Sequence, residues 1–222
     1  MASKQKAKDN KSTGSVKKKN DSISLKTLLP YVLLAVFTFA LYAQTLTFDF
    51  VHHDDDVMIL DNTTTLEQFD FKTIFLTDAW FKPQNIELYR PWQSFTYYLD
   101  YQIWGTNATG YHLHNLLVFI AGILCIYSFL KRLGFNQQWQ LGLSVLYASH
   151  YLFAHTVGWI PARGDLYLTF FGVLTANLLI DALSGKGKWW LVMLLFFIAL
   201  MAKETAIVIV PSILLLQWAL KG

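Results

Sequence analysis

An all-α polytopic membrane protein is the fold class this sequence predicts, and three observations predict it. First, three long stretches carry no charge: Thr27 to Phe48, Tyr101 to Leu130 and Leu133 to Ala162. A helix that crosses a bilayer needs about 20 apolar residues. Second, shorter apolar runs follow, Leu166 to Ile180, Trp189 to Ala202 and Thr205 to Leu220. Third, charge is segregated: eight lysines against Asp9 and Asp21 leave residues 1–26 at +6, while ten acidic residues against Lys72, Lys82 and Arg90 leave residues 47–110 at −7. With 54% hydrophobic and 15% charged residues in 222, a soluble domain is excluded.

Residues 1–26 are rich in Lys, Ser and Asn and lack apolar periodicity, which predicts a disordered tail. Its lysines hold it in the cytoplasm by the positive-inside rule. We read it as an orientation signal, with no nucleic-acid partner. The first span, residues 27–46, is too long for a cleaved leader and reads as a signal anchor. Residues 47–110 then form a large external loop. Within it Leu66, Phe69, Ile74, Phe75, Trp80 and Phe81 give an aromatic stripe suited to the bilayer interface. Pro91 stands at the first turn of a second loop helix, along which Trp92, Phe95, Leu99 and Ile103 recur as a packing face.

Further spans are predicted at 112–130, 141–158, 166–183, 189–202 and 204–220, so that residues 27–222 make one membrane domain of five or six spans. The last two are short enough for tilted spans, half-spans or the arms of a re-entrant hairpin. Lys131, Arg132, Lys186 and Lys188 fall on cytoplasmic loops, consistent with the tail. Cys125 lies mid-span as packing filler, and the sequons at Asn62 and Asn107 matter only in a secretory pathway.

This topology puts all six histidines and most acids on one face. His52, His53, Asp54, Asp55 and Asp56 follow the first span; His112 and His114 open the second; His150 and His155 close the third. Ionisable groups near a bilayer are costly and are kept for function. Three adjacent carboxylates repel one another, so a metal, a cationic partner or solvent must hold them. A solvated acidic turn is the plain alternative, but the adjoining span and histidines favour a site. Carboxylates serve as general bases toward hydroxyls, and oxygen with imidazole suits divalent metals. Arg163 with Asp165 and Lys203 with Glu204 are two further clusters on this face, either paired structurally or offering cations to a phosphate. Together these residues suit chemistry on a phosphate-bearing lipid, and would also suit a cation transporter; sidedness alone does not decide.

The motifs resemble those of the membrane glycosyltransferases of the C-type (GT-C) fold, in the branch of the transmembrane and tetratricopeptide-repeat O-mannosyltransferases and their bacterial relatives. Phe50 to Asp56, with Ile59 to Asn62, is similar to that family's acidic first-loop motif. Tyr89-Arg90-Pro91-Trp92, Leu99-Asp100-Tyr101, Trp104-Gly105 and Gly110 to Asn115 resemble its second block; His150, Val157, Trp159, Arg163 and Asp165 its third; and Leu200 to Glu204 with Pro211 its fourth. Four blocks in order make the resemblance specific, where no single one does.

The resemblance implies a GT-C-like helical bundle and transfer of a sugar from a polyprenyl-phosphate donor to a hydroxyl of a protein or glycan acceptor, outside the cytoplasm. It makes Asp54 or Asp55 the catalytic base, with Asp56 beside them. Arg163 and Lys203 become candidates for the donor phosphate, with Asp165 and Glu204 at the same substrate site. A divalent metal, if used, would draw on Asp55, His150 and His155. The implied location is an integral membrane protein of the plasma or inner membrane in a bacterium, or of the endoplasmic reticulum in a eukaryote. The family has an aromatic at His53, a Pro at Tyr151 and often an acid at His155. Its members continue through more spans, so the chain is expected to be an amino-terminal portion or a module with a partner. A non-catalytic membrane scaffold is the alternative. A cation transporter ranks third, because such proteins place ionisable groups at mid-membrane.

Overall fold

The computed structural model describes residues 25–82 and 88–221, so the predicted disordered tail lies outside it as far as residue 24. Among the described residues the regular structure is all helical, with no strand, as in an all-α polytopic membrane protein. Three segments are long and apolar enough to cross a membrane: Leu25–Thr47, Ala108–Arg132 and Ile160–Leu183.

The first span is α1 (Leu25–Tyr42), extended by a tight turn, Ala43–Thr47. The loop that follows carries four helices: α2 (Asp54–Met58), α3 (Thr63–Glu67), α4 (Phe71–Leu76) and α5 (Pro91–Trp104). Asp70 caps α4 by accepting from the Lys72 and Thr73 amides, and Pro91 starts α5, where its missing N–H is no loss. Gly105, at φ +56°, ends α5 in a backbone region that side-chain-bearing residues avoid. Met58, Ile59, Leu66, Tyr97, Tyr111 and Ile160 form a buried cluster beneath these helices. The aromatic stripe is partly core: Leu66, Ile74 and Phe81 are buried, whereas Phe69 is exposed.

Asn107 caps α6 (Ala108–Arg132), which ends on Lys131 and Arg132, favourable charges at a helix C-terminus. The stretch expected to be a span at 141–158 is divided. It forms α7 (Gln137–Ala148), 12 residues, and α8 (Leu152–Gly158), 7 residues. At about 1.5 Å per residue neither reaches across the ~30 Å hydrocarbon layer. The break is satisfied internally: the Tyr42 hydroxyl donates to the Ala148 carbonyl at 2.8 Å, and the Ser149 amide and hydroxyl both return to the Val145 carbonyl. Irregular backbone at membrane depth requires such partners.

A short turn, Ile160–Ala162, leads into α9 (Arg163–Leu183), the central helix, which packs between α6 and α10 (Trp189–Ala202). Because lipid is as apolar as leucine, close backbone approach matters more here than hydrophobicity. Gly122 admits Thr169, and a methyl added at Gly164 would lie 3.1 Å from the Ala202 carbonyl. After α10 the chain turns at Glu204–Val208 and returns as α11 (Ile209–Lys221), whose Ile209 fills the notch at Gly172. The turn between α10 and α11 therefore lies at the same end as the start of α9.

Candidate functional site

The acidic motif is organised by one folded-back turn. His53 takes φ +121°, strained for a residue with a side chain, and swings the chain into α2. Val51 N–H then donates to Asp55 Oδ2 at 2.7 Å. Asp55 is 1% exposed, and its Oδ1 has no hydrogen-bond partner. Burial raises its carboxyl from 3.8 to about 6; the Val51 amide opposes this, Asp54 and Asp56 add to it, and Arg163 lowers it. Asp54 and Asp56 are reachable from outside, with side chains 29% and 32% exposed. His52 Nδ1 contacts Asp56 at 3.0 Å, and His53 lies 4.0 Å from Asp54.

Arg163 corrects the sequence reading. It opens α9 with no exposed surface, so it cannot present its charge to a ligand at the surface. Its Nε donates to Asn115 at 2.7 Å, and its terminal nitrogens reach Thr96 Oγ1 at 3.3 Å and the Tyr111 carbonyl at 3.2 Å. One of them also sits 2.6 Å from Asp100 Oδ2 as a close ion contact. The guanidinium lies over the Tyr97 ring at 4.8 Å. Arg163 thus ties α5, α6 and α9 together behind Asp55.

The network continues outward. Asp100 Oδ1 meets His114 Nδ1 at 2.5 Å, and His114 Nε2 meets the Tyr167 hydroxyl at 2.6 Å. Asp100, His114 and Asn115 stand inside motifs the sequence singles out, yet nothing in their spacing ties them to Arg163. Aspartate at the tenth position of a loop helix carries no signal until that helix is docked on α6.

The remaining charges pair at the same end. Lys203 bonds to Asp165, and Arg90 forks onto Glu204 at 3.2 and 3.0 Å. Arg90, unassigned from sequence, is 15% exposed, Lys203 19%, Asp165 45% and Glu204 58%. Gly164 lets α5, α9 and the end of α10 converge there, since an added methyl would meet Gln93 at 3.0 Å.

A cleft of about 440 Å³ lies beside the acidic motif, lined by Phe48, Val51, His52, His53, His155 and Trp159. His155 packs on Trp159, ring centres 5.0 Å apart. His112 lies behind Phe48, 1% exposed. His150 faces elsewhere, stacking on Tyr151 in an apolar groove with Leu146 and Phe153. Asp55, His150 and His155 therefore do not converge, and among the described residues no three His, Cys, Asp or Glu side chains gather as metal ligands.

No protein-family model and no solved structure matches the chain. Curated proteins do. The chain is 27% identical over 206 residues to the protein O-mannosyl-transferase F38B6.6 of Caenorhabditis elegans, covering 89% of this chain and 29% of that protein. It is 30% identical over 152 residues to the protein O-mannosyl-transferase TMTC2 of Homo sapiens, covering 67% of this chain and 18% of that protein. A Xenopus laevis counterpart is 27% identical over 164 residues. The chain spans less than a third of the length of these relatives.

Proposed function

Taking its kinship with the protein O-mannosyl-transferases as the premise, we propose that this chain forms the acidic-motif portion of a glycosyltransferase. In this reading it moves a sugar, mannose by the relatives' names, from a polyprenyl-phosphate donor to a protein hydroxyl. Transfer takes place at the acidic end of the bundle, which faces away from the cytoplasm.

One observation carries this reading. Two reachable carboxylates flank a buried one on a single short helix that follows the first span, next in sequence to His52 and His53, which line a cleft. Reach comes before basicity in choosing a general base. Asp54 can be reached, and its nearest partner is 4.0 Å away, so Asp54 accepts the acceptor hydroxyl's proton as its oxygen attacks the sugar's anomeric carbon. The bond from that carbon to the donor phosphate breaks, and the phosphate leaves with the electron pair. Asp55, nearly out of solvent, positions the motif by accepting from the Val51 amide.

Arg163 acts through Asp100 and Asn115, holding the loop helices over the bundle, rather than on the donor. The donor phosphate then meets Lys203, whose present partner Asp165 is half-exposed and can yield it, with Arg90 beside it. No step is assigned to a metal.

Asp54→Asn in the protein carrying this segment tests the reading. A carboxamide keeps the shape but accepts no proton. Sugar transfer from a polyprenyl-phosphate donor to an acceptor peptide is expected to fall by about 10²-fold or more, the range for loss of a general base, with membrane insertion unchanged. Undiminished transfer in both Asp54→Asn and Asp55→Asn would remove the motif from the mechanism. Absence of any transfer by the unsubstituted protein would favour the scaffold.

A further inference from the structure

The opposite end of the bundle carries a second, unassigned cavity. Lys26 opens α1, Lys131 and Arg132 close α6, and Lys186 and Lys188 follow α9, with Asp181 the acid among them. Two adjoining hollows of about 250 and 390 Å³ lie there and share Tyr31 and Lys131. Lys26 and Gln137 line the first, and Arg132 the second.

Arg132 is already bonded to Asp181, whereas Lys26 and Lys131 have no carboxylate within 4.0 Å among the described residues. Tyr31 is fixed at the floor, its ring edge-on to Tyr127 at 4.8 Å and its hydroxyl 3.1 Å from Ser128. Two cations and an amide around one hollow are a donor set that a phosphate oxyanion takes.

We propose that the cavity between Lys26, Tyr31, Lys131 and Gln137 binds the phosphate of an anionic phospholipid headgroup. Two features favour a lipid over free phosphate. The cavity lies between the terminal residues of two membrane helices, at the depth where headgroups sit and where lysines turn toward water. Seven further lysines between residues 4 and 19 precede α1, a polybasic segment of the kind drawn to anionic leaflets. The proposal does not depend on the glycosyltransferase reading.

The test is native mass spectrometry of the delipidated protein in detergent, titrated with dioctanoyl phosphatidylserine or dioctanoyl phosphatidylcholine. Phosphatidylserine is expected to bind at least tenfold more tightly. Lys26→Gln and Lys131→Gln should each weaken it about fivefold and together about 25-fold, the equivalent of roughly 1 kcal/mol per lysine at an anionic surface. Lys131→Arg should bind as wild type, confirming that the Gln variants lose charge rather than fold. Equal binding of the two lipids, or unchanged binding by the Lys26→Gln/Lys131→Gln protein, would overturn the proposal. So would an equal loss in Lys17→Gln/Lys18→Gln, which would indicate diffuse attraction to the tail. Displacement of the lipid by equimolar inorganic phosphate would make this a free-anion site and reject the lipid.

Discussion

Replacing Arg163 with Met should unfold the junction between the loop and the membrane helices. The side chain is fully buried, contacts Asp100 at 2.6 Å and donates to Asn115, Thr96 and the Tyr111 carbonyl. Met fills similar volume but leaves the Asp100 carboxylate, itself 3% exposed, without its cation. Breaking one partner of a buried pair costs about 3–5 kcal/mol. For a protein of this size, that corresponds to a drop in Tm of roughly 6–20 °C, at about 2–4 °C per kcal/mol. Arg163→Lys retains the charge but lacks the planar fork, so Asn115 and Thr96 lose their donors; about 1.5–3 kcal/mol is expected. The assay is thermal unfolding in nanodiscs, followed by near-ultraviolet circular dichroism. Asp100→Asn combined with Arg163→Met should cost less than the sum of the single changes, because neither charge is then stranded. A Tm for Arg163→Met within about 2 °C of wild type would refute the buried-charge reasoning, on the same scale.

Asp55 predicts a pH dependence. Its folded carboxyl, raised from 3.8 to about 6, holds a proton that the unfolded chain has released, so stability falls as pH rises through that window and levels off above it. Asp55→Asn should flatten this fall, matching wild type at the acid end and gaining on it above about pH 6; parallel Tm–pH curves for the two proteins would contradict the burial. Gly164→Ala should lower Tm, since its methyl would lie 3.0 Å from Gln93 and 3.1 Å from the Ala202 carbonyl, overpacking that costs about 1–3 kcal/mol. A wild-type Tm would show that α9 and α10 can move apart there. For topology, Asp70→Cys in a Cys125→Ala background should react with an impermeant maleimide from outside intact cells. Labelling only after permeabilisation would invert the orientation.

Much of the architecture is legible in the residues alone, because a bilayer imposes a length and a composition on whatever crosses it. Thr27 to Phe48, Tyr101 to Leu130 and Leu166 to Ile180 declare themselves by lacking charge, and Pro91 and Gly105 mark the ends of a loop helix by backbone chemistry. The acidic motif stands out too, since three adjacent carboxylates repel one another, but which of them is buried does not: only the fold sets Asp55 inside and leaves Asp54 and Asp56 reachable. The break at Ser149 is not legible: 133–162 reads as one stretch without a charge, and the Tyr42 hydroxyl that caps Ala148 comes from 106 residues away.

The same holds for Arg163. From sequence, an arginine at a span end looks available to a phosphate. Only the packing of α5 onto α6 and α9 brings Asp100, Asn115 and Thr96 around it and spends its charge inside the protein. Composition and local chemistry marked the three long apolar helices and the acidic motif. Which charges remain available to a ligand was decided by tertiary contacts, because pairing and burial depend on residues that no local pattern brings together.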